Sequence, residues 1–199
     1  MERIKISKEW RFESYIGWSQ SWWSYYNQYR EASRVLLDRV NNNYPIDTVA
    51  MPIIFLIRHS LELGLKANII ELEKFSSARP KLKFDGRSHN ISYLHEYFIA
   101  HLDKIILEFK ITDHKILSEI DNFKTKLNNL KDIIHGLDSN SYRFRYPVDP
   151  KGNQNFNYTD KFLLVDCIEL IQDLDPLLLY LTNVLAEFGV IDMNDFIVE

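Results

Sequence analysis

The segment from Phe55 to Lys66 restricts the fold of this chain most strongly, because its polar residues are surrounded by apolar ones. At about 100° per residue, Arg58, His59, Glu62 and Lys66 fall on a single stripe of a helix whose other faces are typical of a core. Arg58 to Glu62 and Glu62 to Lys66 are four-residue steps, so the stripe is either a rim of surface ion pairs or a partly buried polar site.

The composition favours a single helical domain over residues 1–199. The chain is 46% hydrophobic and 14% aromatic, which is enough for a sizeable core, and it contains only 6 glycines and 6 prolines. Its formal net charge of -4 argues against general attraction to nucleic acid, although it leaves room for a local basic patch. The single cysteine, Cys167, excludes an intrachain disulfide and is predicted to be a small buried side chain.

The sequence also bears on where the protein works. Its first residues alternate in charge and lack the apolar core of a signal peptide. The longest apolar runs are about half the length that a membrane crossing requires. We therefore expect a soluble cytoplasmic protein without membrane association.

Hydrophobic periodicity predicts an all-α, up-and-down bundle of about five helices, with a small β-hairpin or extended insertion near residues 141–158. Asp47 or Thr48 is expected to cap the second helix, Gly136 to stop the fourth, and Pro176 to bend or break the last. The five helices are expected at about residues 12–40, 47–75, 91–109, 113–134 and 160–188.

The insertion is predicted from two short patterns. Ser141–Tyr146 alternates between two faces, as a strand does, and Gln154–Tyr158 would be the returning strand. Between them, Asp149–Gly152 has the residues that a type I turn favours.

Two arginines in the first of these strands suggest an anion site. Arg143 and Arg145 would point to the same face, and with Tyr146 beside them they would suit a phosphate or a carboxylate. The alternative is that they reach back to carboxylates of the bundle, such as Glu62 or Asp138.

Two histidines outside the stripe lie next to residues that form turns. His89 precedes the third helix and His135 precedes Gly136. Each is either a partner of a helix end or part of a polar site. The loop at residues 79–87 is basic and is expected to be a solvated loop.

Three segments taken together resemble a family of bacterial HEPN-like helical proteins. They are Ile54–Lys66, His89–Leu94 and Asp138–Pro147. The resemblance implies an all-helical bundle, often dimeric, of the kind found in toxin–antitoxin and anti-phage defence systems. Active HEPN proteins cleave RNA without a metal, using an Arg and a His separated by four to six residues. This chain departs from that motif, because its nearest pair, Arg87 and His95, has seven intervening residues.

The first hypothesis is therefore a divergent metal-independent ribonuclease or RNA-binding protein of HEPN-like type. A histidine would act as general base on a 2′-hydroxyl while arginines hold the phosphate, with no metal or cofactor. The proposed catalytic residues are Arg58, His59, Glu62 and His89. The proposed phosphate- or anion-binding residues are Lys66, Arg143, Arg145 and Tyr146.

Two alternatives remain open from the sequence. One is a non-catalytic homodimer that binds a partner protein, such as a cognate nucleotidyltransferase or another defence protein. The aromatic first helix, with Trp18, Trp22 and Tyr29, and the last helix would form its interfaces. The other alternative is a small module that binds an anion or a nucleotide through the arginines of the insertion.

Overall fold

The computed structural model describes residues 14, 17, 19–79, 86–139, 141–187 and 189. A 3₁₀ turn at Ile46–Thr48 leads into the second of the helices. The α-helices in this part of the chain are α1 (Trp22–Asn41), α2 (Ala50–Glu73), α3 (Ile91–Glu108), α4 (His114–Leu137) and α5 (Leu164–Glu187). The expected all-α bundle is confirmed.

The helix α2 occupies the centre of the bundle. It packs against α1, α3 and α5, while α4 packs against α3 and α5. All ten residues from Ser60 to Ile69 are buried, so buried side chains lie on every side of the helix. A helix that is apolar on most faces is stabilised by such a position, because its apolar side chains are then buried away from water. Among the described helices, none combines the length and the apolar character that a membrane span needs.

The start of α1 differs from the prediction. Ser21 caps the helix by accepting a hydrogen bond from the Ser24 amide at 3.1 Å. The described residues before this cap are not helical, so a helix running from residue 12 is wrong at residues 19–21. Trp18 lies outside the described residues, as do residues 80–85 of the basic loop.

Three other predicted helix boundaries differ from those in the structure. Asp47 and Thr48 do not cap α2, because both belong to the preceding 3₁₀ turn, where the Thr48 hydroxyl donates to the Pro45 carbonyl at 2.6 Å. Gly136 does not stop α4, which continues to Leu137 with Asp138 as its C-cap. The last helix begins at Leu164 rather than near residue 160, and it runs through Pro176 without a break.

The expected β-hairpin is wrong. Within the described part of residues 141–158, pairing is limited to an isolated antiparallel bridge between Val148 and Gln154. The turn at Asp149–Gly152 does form, since the Gly152 amide donates to the Asp149 carbonyl at 2.9 Å. The predicted first strand is instead a series of turns in which Ser141 has a φ of +60°.

Gly64 allows α1 and α2 to approach closely. A Cβ atom at this position would lie 2.9 Å from Cε2 of Tyr26, which is closer than packed carbon atoms come. The Tyr26 hydroxyl donates a hydrogen bond to Asp175 of α5, and Arg30 lies 3.5 Å from the other oxygen of that carboxylate. Burial raises the pKa of Tyr26 and that of Asp175. This contact fixes three helices against one another.

Cys167 lies in the core, with 1% of its surface exposed. Burial raises the pKa of its thiol to about 12. The prediction of a small buried side chain is confirmed, and a thiol with this pKa is not a nucleophile at neutral pH.

Candidate functional site

Arg58 is fully buried in α2 and connects three parts of the chain. Its Nη1 donates to Glu62 Oε2 at 3.1 Å, Nη2 donates to the His89 carbonyl at 2.6 Å, and Nε donates to the Asp138 carbonyl at 3.1 Å. Burial lowers the pKa of Arg58, while the charges of Asp138 and Glu62 raise it. The guanidinium group therefore holds α2, the loop before α3 and the turn after α4 together.

Glu62 is 1% exposed and has charged partners at both carboxylate oxygens. Besides the contact of Oε2 with Arg58, its Oε1 accepts a hydrogen bond from Lys66 Nζ at 2.9 Å and lies 2.9 Å from His89 Nδ1. Burial alone would raise the pKa of Glu62, but the hydrogen bonds and charges of Lys66 and His89 outweigh it and lower the pKa. Glu62 is thus an ionised carboxylate inside the protein at neutral pH.

His89 is the member of this network that reaches solvent. Its side chain is 58% exposed, whereas that of Glu62 is 1% exposed. An ionised carboxylate can only accept hydrogen bonds, so Nδ1 of a neutral His89 carries the proton and Nε2 has a free lone pair. The loop is fixed beside it, because the Asn90 side chain caps α3 by accepting from the Tyr93 amide at 3.0 Å.

Lys66 closes the network on the side of α1. Its side chain is 3% exposed, and its Nζ lies 5.5 Å from the centre of the Trp22 ring. A cation at this distance from a tryptophan face is attracted by the ring. Trp22 itself is 38% exposed, so it covers the lysine and faces solvent with the rest of its surface.

His59 lies among aromatic rings close to the same network. Its ring is 4.4 Å from that of Tyr29 in an edge-to-face contact and is stacked on Phe55 at 5.6 Å. Burial lowers the pKa of His59, and the positive charges of Lys66 and Arg58 lower it further. A neutral imidazole in such packing stabilises the contact of α1 with α2 and is a poor proton donor at neutral pH.

The two arginines after α4 have different partners. Arg143 donates to the backbone carbonyls of Leu137, at 2.8 Å, and Asn155, and its guanidinium lies 4.5 Å from the centre of the Phe156 ring. Arg145 is exposed and donates from Nε to the Ser141 carbonyl. The segment is not a strand, so the reason for expecting a common face is absent, and both side chains donate to backbone carbonyls rather than to bundle carboxylates.

Tyr146 lies with Arg145 at the surface. Its ring is 47% exposed, the Arg145 guanidinium is 5.6 Å from its centre, and the Tyr142 ring is 4.6 Å away. The positive charge of Arg145 lowers the pKa of Arg58. The turn is held to the network because the Tyr142 amide donates to Asp138 Oδ1 at 2.9 Å.

The structure thus brings Arg58, Glu62, Lys66 and His89 together, with His59 alongside. Sequence reasoning missed the contribution of backbone carbonyls, and it did not place Asp138 among the candidate site residues. The position of Asp138 directly after the fourth helix could have indicated its role, because a residue at the end of a helix often organises the turn that follows. In the described part of the chain, no cluster of three or more His, Cys, Asp and Glu side chains is arranged to hold a metal ion.

A cleft of about 520 Å³ opens beside the turn after α4. It is lined by Asp138, Tyr142, Arg143, Gln154 and Asn155, among others. This volume lies within the roughly 300–1,000 Å³ that small-molecule sites occupy. The cleft is mainly polar in its residue types, unlike a typical core cavity.

Comparison of the chain with models of protein families, with curated proteins and with solved structures found no match.

Proposed function

We propose that this protein is a metal-independent ribonuclease of HEPN-like type in which His89 is the general base. One observation carries the proposal: the buried carboxylate of Glu62 lies 2.9 Å from His89 Nδ1, while the histidine side chain is 58% exposed. This arrangement orients the ring and directs the second nitrogen to a substrate. The resemblance of three segments to bacterial HEPN-like proteins supports a role in defence or in a toxin–antitoxin system.

The proposed reaction is an attack within the RNA strand. His89 Nε2 removes the proton of a 2′-hydroxyl, and that oxygen attacks the adjacent phosphorus atom. The bond from phosphorus to the 5′-oxygen of the next nucleotide breaks, this oxygen takes up a proton from water, and His89 then releases to the solvent the proton that it removed. The products are a 2′,3′-cyclic phosphate and a 5′-hydroxyl. A positioned base contributes about 10²–10⁴ to such a rate.

The buried charges act on the reaction through His89. Arg58 is fully buried and Lys66 is 3% exposed, so neither touches an RNA strand bound at the surface. Their charges keep Glu62 ionised, and Glu62 in turn stabilises the imidazolium that forms when His89 takes the proton. They are positioning residues. Arg145 is exposed, and its guanidinium is proposed to hold the phosphate.

RNA cleavage in the presence of a chelator tests this proposal. We expect purified protein to cut a labelled single-stranded RNA in EDTA and to leave a cyclic phosphate, identified by mass spectrometry. The same sequence made of 2′-deoxynucleotides is the control and should stay intact, because it lacks the attacking hydroxyl. Intact RNA after incubation with folded protein, or products that end in a 3′-hydroxyl, would contradict the proposal.

The exposed apolar side chains of α1 favour a second candidate, a non-catalytic homodimer that binds a partner protein. Tyr25 is 40% exposed and Val35 is 50% exposed, and Met51 at the start of α2 is 43% exposed. Apolar side chains of this kind are common at protein interfaces. Intact RNA together with a stable dimer would favour this candidate over the ribonuclease.

A further inference from the structure

An exposed tryptophan is connected to His89 through Lys66 and Glu62. Lys66 Nζ and His89 Nδ1 share one oxygen of Glu62, each at 2.9 Å, and the Trp22 ring centre is 5.5 Å from that lysine nitrogen. A Cβ atom at Gly86, three residues before His89, would be 3.9 Å from the Trp22 ring. The ring therefore lies near the loop that carries His89 and contacts a lysine that shares a carboxylate oxygen with the histidine.

A pair of tyrosines lies on the side of the turn after α4. The rings of Tyr142 and Tyr146 are 4.6 Å apart and inclined at 34°, and Arg145 lies 5.6 Å from the second ring. Arg58 links this turn to the histidine, because one guanidinium group bonds the carbonyls of both Asp138 and His89. Tyr142 also lines the 520 Å³ cleft, so there is space next to its ring.

Many proteins bind single-stranded nucleic acids through exposed aromatic rings with positively charged side chains beside them. Every base has a flat face that stacks on such a ring, and an arginine next to the ring attracts the backbone. In a duplex the faces of the bases are already stacked on one another. Rings of this kind therefore distinguish unpaired from paired bases.

We propose that Trp22 and the Tyr142–Tyr146 pair, which the buried network connects to His89 by separate contacts, are stacking sites for unpaired bases. The substrate would then be a single-stranded stretch of RNA, with the base on one side of the cleaved phosphate stacked on Trp22 and the base on the other side stacked at the tyrosines. The position of the cleaved phosphate rests on the proposed ribonuclease function, whereas the stacking sites themselves can be tested without cleavage.

The test measures binding of an RNA that cannot be cut. The probe is a fluorescein-labelled octamer of mixed sequence with a 2′-O-methyl group on every nucleotide, and binding is followed by anisotropy. Trp22→Leu and Tyr146→Leu remove a ring but keep an apolar side chain, and each is expected to weaken binding roughly tenfold. The control is Tyr158→Leu, because Tyr158 is a fully exposed tyrosine in a loop outside the network. Its affinity should equal that of the wild type.

Several outcomes would overturn the stacking sites. They fail if the wild type does not bind the octamer, if Trp22→Leu and Tyr146→Leu bind it as tightly as the wild type, or if the octamer paired with its complement binds equally well. The ribonuclease proposal fails separately, if the octamer binds in the expected way while unmodified RNA of the same sequence stays intact. If the wild type cleaves RNA but both variants bind the octamer as tightly as the wild type does, the stacking sites are overturned and the ribonuclease proposal stands.

Discussion

Replacing Arg58 with alanine is expected to lower the free energy of unfolding by about 3–5 kcal/mol, because it removes one partner of a buried ion pair. Glu62, at 1% exposure, would lose its Oε2 partner, and the carbonyls of His89 and Asp138 would lose a donor. Buried charges and carbonyls without partners are costly, since no water replaces the lost contacts. Denaturant unfolding followed by circular dichroism measures the change.

Arg34→Ala is the matched control for this variant. Arg34 also pairs with two carboxylates, those of Glu31 and Asp38, but its side chain is 62% exposed. Exposed ion pairs contribute little because water and salt screen them, so we expect almost no change in stability. Equal losses for Arg58→Ala and Arg34→Ala would show that the buried network does not hold the bundle together.

Replacing His89 with glutamine is expected to lower the rate of RNA cleavage about 10²- to 10⁴-fold, because the amide cannot take up a proton. The fold should survive the change. The side chain is 58% exposed, the glutamine amide can still donate to Glu62, and the backbone carbonyl that accepts from Arg58 is unaltered. The measurement compares cleavage rates under single-turnover conditions, with melting temperatures recorded for the same samples.

His114→Gln provides the comparison for the histidine variant. His114 is exposed at the first position of α4 and lies outside the network. Its replacement should leave the cleavage rate unchanged. If His89→Gln cleaves RNA as fast as His114→Gln does, His89 is not the base.

Helical periodicity was sufficient to predict the stripe on α2, but not its environment. Arg58, Glu62 and Lys66 form the expected four-residue pairs, and both pairs are buried rather than at a surface rim. Burial depends on what covers the helix. Here the polar stripe is covered by His89, which is 27 residues from Glu62 in the sequence, and by Asp138, which is 80 residues from Arg58. Contacts at such separations leave no periodic pattern in a sequence.

The failed prediction of a strand at Ser141–Tyr146 has a local cause. Alternation of residue types is compatible with a strand, but a strand also needs a partner with free backbone groups. The Asp138 carboxylate binds the Tyr142 amide at 2.9 Å, and the Arg145 amide donates to the Tyr142 carbonyl at 3.1 Å. These short-range bonds use the groups that a strand would pair, so the segment turns.

The helix ends show the same competition on a smaller scale. Residues with good capping side chains stood at Asp47 and Thr48, yet α2 begins after them because the 3₁₀ turn uses the Thr48 hydroxyl. By contrast, Asn90 and Asp113 cap α3 and α4 through their side chains. A capping residue predicts a helix start only where no nearby carbonyl competes for it.

The tautomer of His89 decides whether this histidine can be the base, because Glu62 must hold a proton on Nδ1 and leave Nε2 free. Nitrogen-15 NMR of the histidine side chains at alkaline pH, where imidazole side chains are neutral, measures this. We expect a protonated Nδ1 and an unprotonated Nε2 for His89. A neutral His89 with its proton on Nε2 would contradict it, since that nitrogen could not then accept a proton from RNA.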